Sequence, residues 1–163
     1  MKQGPQLGVE GRYKKLEPKI EAAFDLAAMT KFTVGPSWAK MQEAEHKDLI
    51  AAFRRMTVAS YASNFGKFEG QKFVVDPNVQ TRNADFLVAS QIVPANDKPV
   101  NLVYRLHNTG GKWKVIDVIY EHVSQLATRR ADFSTTLASG GAPALVKRLN
   151  EIADDLMKGK AGS

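Results

Sequence analysis

Three histidines, His46, His107 and His122, and two carboxylates in strand-like segments, Asp85 and Asp117, are the side chains best suited to proton transfer or metal binding. With no cysteine in the chain, thiol catalysis, disulfides and cysteine-based metal sites are excluded. The histidines fall in different elements, and no His-x-x-x-His pair occurs. His46 lies among Glu43, Glu45 and Asp48, but those steps spread the group around a helix. A solvated helix surface is therefore expected there, and no metal site. Asp85 or Asp117, near Tyr104 or Tyr120 on a curved sheet, could serve as a general base with a tuned pKa. Asp117 is out of phase with Ile116 and Val118, so it should turn away from one apolar face and anchor backbone donors or an arginine. Arg129-Arg130 near a helix start reverses the usual preference for acids at that end. The pair is expected to answer a nearby Asp sooner than an anionic ligand. A Gly-rich phosphate loop and a Ser elbow are both missing, and no cofactor is expected.

The elements that must hold these residues follow from apolar periodicity. Pro18 suits the first turn of a helix, and Ile20, Ala23, Phe24 and Ala27 recur behind it at helical spacing. Gly4, Pro5 and Gly8 read as a loose start and Gly159 to Ser163 as a frayed tail. Gly35-Pro36-Ser37 interrupts, and Trp38 and Met41 begin a second helical stretch. Leu49, Ile50, Phe53, Met56, Thr57 and Tyr61 then form one apolar stripe, with Glu45, Lys47, Asp48, Arg54 and Arg55 opposite. This helix should run to about Asn64-Phe65-Gly66, where the glycine can cap it.

From there the period drops to two. Phe86, Val88 and Ile92 alternate with Leu87, Ala89 and Gln91 in a strand apolar on both faces, ending at Pro94. Val100, Leu102, Tyr104 and Leu106 form one clean apolar face, and Asn108-Thr109-Gly110-Gly111 is a strong turn signal. The segment from Trp113 to Tyr120 is again apolar on both faces. Hairpins are expected at about 94–99 and 108–111. Ser124 caps a helix carrying Leu126, Phe133 and Leu137, and after Ser139-Gly140-Gly141 a last helix opens at Pro143 with Leu145, Leu149, Ile152 and Leu156 on one face. The class is α+β, with helices on a curved antiparallel sheet. Strands apolar on both faces, together with one-faced helices, carry more apolar surface than two compact layers need. That excess permits an internal cavity.

The chain has 163 residues, 44% of them apolar and 25% charged, as expected of a single globular domain covering residues 1–163. No run approaches the roughly 20 apolar residues of a membrane span. Net charge is +6 with a pI near 9.5. The basic pairs Lys14-Lys15, Arg54-Arg55, Arg129-Arg130 and Lys147-Arg148 are scattered, with no dense block and no aromatic-and-basic RNA-reading signature, so no nucleic-acid partner is expected. A solvated basic surface is the simplest reading, followed by membrane-surface or partner docking.

Several stretches together carry a resemblance. They are Phe24-Asp25-Leu26 through Met29, Val34-Gly35-Pro36-x-Trp38, Tyr61 through Phe65, Gly70-Gln71-x-Phe73 and Tyr104-Arg105-Leu106. Further on stand Gly111 through Val118, Val123-Ser124, Arg130-x-Asp132-Phe133 and Ser139-Gly140-Gly141-x-Pro143-x-Leu145. Over about residues 11–150 the set resembles the MlaC-like family of periplasmic lipid-binding proteins, with an ending and a Val-Gly-Pro-x-Trp element similar to its hopanoid-associated HpnM branch. The resemblance implies an NTF2-like curved sheet, about residues 72–122, packed with a helical subdomain, about 8–66 and 124–158, around an apolar pocket. It implies a periplasmic shuttle, not an enzyme, that carries a phospholipid or hopanoid-type lipid between membranes. Inner- and outer-membrane transport components would be its partners, with transient membrane-surface contact, and a signal peptide would have been removed. Trp38, Phe53, Tyr61, Phe65, Phe86, Val88, Leu102, Tyr104, Ile116, Val118, Tyr120 and Phe133 are the expected lipid contacts, with Leu102, Tyr104, Ile116 and Val118 as the cavity floor. One departure matters: the family commonly has glycine where this chain has His122. If that turn is left-handed, His122 must tolerate it or the turn must differ. The rival reading is an NTF2-like isomerase or dehydratase acting on an apolar small molecule, and a third is an interaction module using the basic surface.

Overall fold

A computed structural model describes residues 3–159. The expected loose start is an α-helix instead. Helix α1 spans Gly4–Ala23, with Pro5 in the first turn, where its missing N–H is no loss, and a break at Gly8. Pro18 lies inside α1 and does not open it. Most of the expected frayed tail, 160–163, lies outside the described residues. Helix α2, Leu26–Val34, follows after a two-residue bend. Asp25 makes that bend: its Oδ1 accepts from the Ala28 N–H at 2.9 Å and its Oδ2 from the Thr109 hydroxyl at 2.8 Å.

Gly35–Lys40 forms a 3₁₀ turn, so Trp38 precedes the next helix instead of beginning it. Helix α3 runs Glu43–Asn64, and the Glu45 carboxylate accepts from the Gln42 N–H at 2.8 Å to close its first turn. Its far end is not capped by Gly66, which lacks the positive φ of a glycine cap. The buried Arg12 does that work, donating from Nε to the Ala62 carbonyl at 2.6 Å, where a cation also suits the helix dipole.

The strands are β1 Lys72–Val75, β2 Gln80–Arg82, β3 Asp85–Val93, β4 Val100–Thr109, β5 Lys112–Tyr120 and β6 Val123–Ser124. They form one antiparallel sheet in the order β1-β3-β4-β5-β6, with β2 also on β3. Both expected hairpins are present, joining β3 to β4 and β4 to β5. In the second, Gly110 and Gly111 take φ 59° and 83°, the left-handed pair that a tight two-residue turn demands. The α+β reading of the sequence holds, as does the curved antiparallel sheet.

The last helix, α4, spans Gln125–Met157 and breaks at Gly141, φ 64°, beside Pro143. The adjacent Gly140 has a different reason: a Cβ there would sit 2.5 Å from the Cβ of Ala144. Ser124 caps α4 as expected, accepting from the Ala127 N–H at 3.0 Å. Leu49, Val58, Leu145 and Leu149 are sealed where α3 and α4 pack together. The helical layer is fixed to the free edge of β5 by a bridge between Phe24 and Val115.

Candidate functional site

Between α3, the start of α4 and one face of the sheet lies a mainly apolar cavity of about 400 Å³. Its size falls within the roughly 300–1,000 Å³ of small-molecule sites. Helix α3 supplies Phe53, Met56, Thr57, Ser60, Tyr61, Asn64 and Phe65, which recur every three or four residues and so share one side. The sheet supplies Ile92, Val100, Leu102, Tyr104, Val118 and Tyr120. Register explains the selection. Ile92 stands opposite Val100, Leu102 opposite Tyr120 and Tyr104 opposite Val118, and directly paired residues point to the same face. Phe24, Met29 and Leu126 complete the apolar wall. Phe65 and Tyr120 are 42% and 47% exposed, which sets them at the opening.

Of the residues expected at the site, Phe53, Tyr61, Phe65, Leu102, Tyr104, Val118 and Tyr120 line this cavity. The others lie elsewhere. Trp38 stacks on the His46 ring at 3.8 Å, Phe133 is buried in the helical core, and Phe86 stacks on Trp113 at 4.2 Å. Val88 shares the cavity face but is not among the residues lining it. Ile116 misses the expected floor because the β4–β5 register slips between Arg105 and Leu106. Arg105 opposes Asp117 and Leu106 opposes Val115, so Ile116 is the extra, unpaired residue of a β-bulge. Beyond the bulge it is Val115, not Ile116, that keeps phase with Val118.

The polar groups are mostly committed. Asp117 is buried against the cavity, with Oδ2 accepting from the Ser124 hydroxyl at 2.6 Å and Oδ1 from the Leu126 N–H at 3.1 Å. This is the anchoring of backbone donors expected from the sequence. Asp85 is not a cavity residue. Its Oδ2 accepts from Arg105 Nε at 2.6 Å, and its Oδ1 meets His107 Nδ1 at 2.5 Å. Burial would raise its pKa, but the hydrogen bonds to His107 and Arg105 outweigh burial and hold the carboxyl below its usual range. Burial pushes the Tyr61 phenol well above the ordinary tyrosine value, with nearby Tyr104 adding to the shift, and burial raises Tyr104 as well. Both phenols are therefore neutral across the physiological range. His46 donates from Nε2 to the Trp38 carbonyl, 2.9 Å away, and among the described residues no group of three His, Asp or Glu is placed to hold a metal.

The family model for the MlaC protein matches residues 1–151 of the chain. The chain belongs to the MlaC family. A solved structure of a phospholipid-binding protein from Ralstonia solanacearum, in complex with a phospholipid, superimposes with a TM-score of 0.81 at 21% identity, covering 94% of this chain and 87% of that one. At that identity the likeness establishes a shared fold.

Within this MlaC-family chain, the cavity residues that sequence reasoning missed carried readable signals. Met56, Thr57, Ser60 and Asn64 continue the helical spacing of Phe53 and Tyr61. Phe24 and Met29 belong to the segment whose Asp25 folds α2 back against the sheet edge. The turn at His122, where the sequence resemblance leads one to expect a glycine, is built as that expectation requires. Glu121 and His122 take φ 43° and 68°, so the β5–β6 hairpin is left-handed and His122 adopts the conformation a glycine would. The Glu121 carboxylate helps hold it, accepting from the Asn101 N–H at 2.5 Å.

Proposed function

We propose that this chain is a periplasmic lipid carrier, loading a phospholipid or hopanoid-type lipid at one membrane and releasing it at another through inner- and outer-membrane transport components. The observation that carries this reading is the cavity, walled by Phe53, Met56, Leu102, Tyr104 and Val118 and open at Phe65 and Tyr120. An acyl chain of about 16 carbons costs roughly 13 kcal/mol in water at about 0.8 kcal/mol per CH₂. A carrier must therefore enclose nearly all of the chain, and a deep apolar wall with an opening answers that need. Membership of the MlaC family and a phospholipid-bound structural relative support the same reading. Among the described residues no helix is long and apolar enough to cross a membrane, in keeping with a shuttle that visits bilayers and leaves them. The cavity-lining residues expected from the sequence are the proposed lipid contacts, together with Phe24, Met29, Met56, Ile92 and Val100. The HpnM-like ending and Val34-Gly35-Pro36-x-Trp38 are what favour the hopanoid-associated branch. The isomerase or dehydratase reading gains no support from Asp117, because both its oxygens are already held.

Protein expressed in a bacterium should copurify with lipid, because such a cavity fills with hydrocarbon. Native mass spectrometry should record a mass increment that denaturation removes. A bare protein mass, with no uptake from liposomes, would defeat the carrier reading.

A further inference from the structure

The basic doublets of the chain have different fates. Lys14 pairs with Glu10, Arg54 with Glu21, Arg55 with Asp154 and Lys147 with Glu151. Arg130 lies over the Phe32 ring, 5.3 Å from its centre. Arg148 is exposed, where water solvates it. Arg129 matches none of these. It is half-buried, it lines the cavity one turn into α4, and among the described residues no carboxylate or carbonyl accepts from its guanidinium. The carboxylate on the same wall, Asp117, is already engaged by Ser124 and Leu126. Gln125, which precedes Arg129 by one helical turn, donates to the Val123 carbonyl at 3.3 Å.

A half-buried guanidinium without an acceptor is tolerable while water fills the cavity. When an apolar cargo expels that water, five N–H donors lose their solvation, and only an anion restores it. The planar fork of arginine matches two oxygens of a phosphate. We infer that Arg129 is a headgroup anchor, so that the cavity selects phosphate-bearing lipids over neutral lipids with the same acyl chains. The inference rests on the carrier reading and narrows its cargo. A neutral hopanoid would bury the same hydrocarbon and leave Arg129 unanswered.

The test uses the full chain, freed of lipid and incubated with vesicles containing equal parts phosphatidylglycerol and diacylglycerol of matched chains, then re-isolated and extracted. Wild type should retain phosphatidylglycerol over diacylglycerol by roughly tenfold or more, the range of a charge-assisted hydrogen bond. Arg129→Gln should bring that ratio near one, chiefly by lowering the phosphatidylglycerol retained, while the melting temperature holds. Arg129→Lys should keep part of the preference, and Arg130→Gln all of it. Equal retention of the two lipids by wild type, or an undiminished preference in Arg129→Gln, would overturn the anchor and leave the carrier standing. Uptake of neither lipid would overturn both. Inorganic phosphate alone forms the last arm. Its binding through Arg129, with no lipid preference, would assign the site to a soluble anion and overturn the headgroup assignment.

Discussion

Helix α3 separates two regions of unlike density. Where it packs on α4, Leu49 and Val58 are 0% exposed and Leu145 and Leu149 are 1% exposed, so the space is filled. Toward the sheet, Phe53, Met56, Tyr61 and Phe65 face Leu102, Tyr104 and Val118 across a cavity of about 400 Å³. The two interfaces use the same kinds of side chain. What differs is the partner. A helix can interdigitate with another helix along its length, whereas a curved sheet held at its edge by Phe24 and Asp25 stands away from α3 at its centre. One interface stabilises the fold, and the other leaves room for a ligand.

Paired substitutions probe that contrast most strongly. Leu145→Ala removes packed atoms from the filled side and should cost about 2–5 kcal/mol in urea unfolding. Val118→Trp adds atoms on the open side and should cost less than the roughly 1–3 kcal/mol of overpacking a filled core. The Trp variant should also lose most of its bound lipid, read by extraction from the same sample. Equal destabilisation by the two changes would erase the distinction. A Trp variant that is stable and fully loaded would move the cargo to another place.

Alkaline pH sharpens the contrast at Tyr61. Its phenol titrates higher in the folded chain than the roughly pH 10 of an unfolded tyrosine, so above that point the native state binds more protons. Stability should therefore be level with respect to this group below about pH 10. It should fall above it, by up to about 1.4 kcal/mol per pH unit. Denaturation midpoints across that range should show the slope, and Tyr61→Phe should reduce it. An unchanged slope in Tyr61→Phe would mean that the cavity wall is as wet as the surface.

The smallest effect is expected at the turn joining the sheet to α4. His122→Gly removes a side chain from a residue at φ 68° and should raise stability by about 0.5–1 kcal/mol, after the added flexibility of the unfolded chain is counted. Lipid loading should not change, because His122 does not line the cavity. A loss of stability would mean that the imidazole makes a contact worth more than the backbone strain.

Much of this architecture is legible along the chain. The stripe from Leu49 to Tyr61, the alternation from Val100 to Leu106, the Gly110-Gly111 turn, the Ser124 cap and the Gly140-Gly141 break all depend on neighbours within a few residues. Local sterics and hydrogen bonds suffice to specify them. The helix starts were less legible. Pro18 is compatible with either a first turn or a tolerated interior, and Gln42 is a weaker cap signal than Ser or Asp. The family motifs pointed to a cavity, but the membership of its wall was only partly readable. Aromatic residues such as Trp38, Phe86 and Phe133 satisfy the same composition while packing elsewhere.

Tertiary contacts settled the rest. The bulge that removes Ile116 from the cavity phase arises between two strands, and a period-two count along one strand cannot detect an unpaired residue. Arg12 caps α3 across 50 residues of sequence, and Thr109 reaches Asp25 across 84. Arg54, Arg55 and Arg129 are equally basic letters in the sequence. Two are neutralised by carboxylates brought from α1 and α4, and the third is left facing the cavity. Side-chain chemistry is written at each position, but whether a charge meets its opposite depends on which surfaces the folded chain brings within a few ångströms.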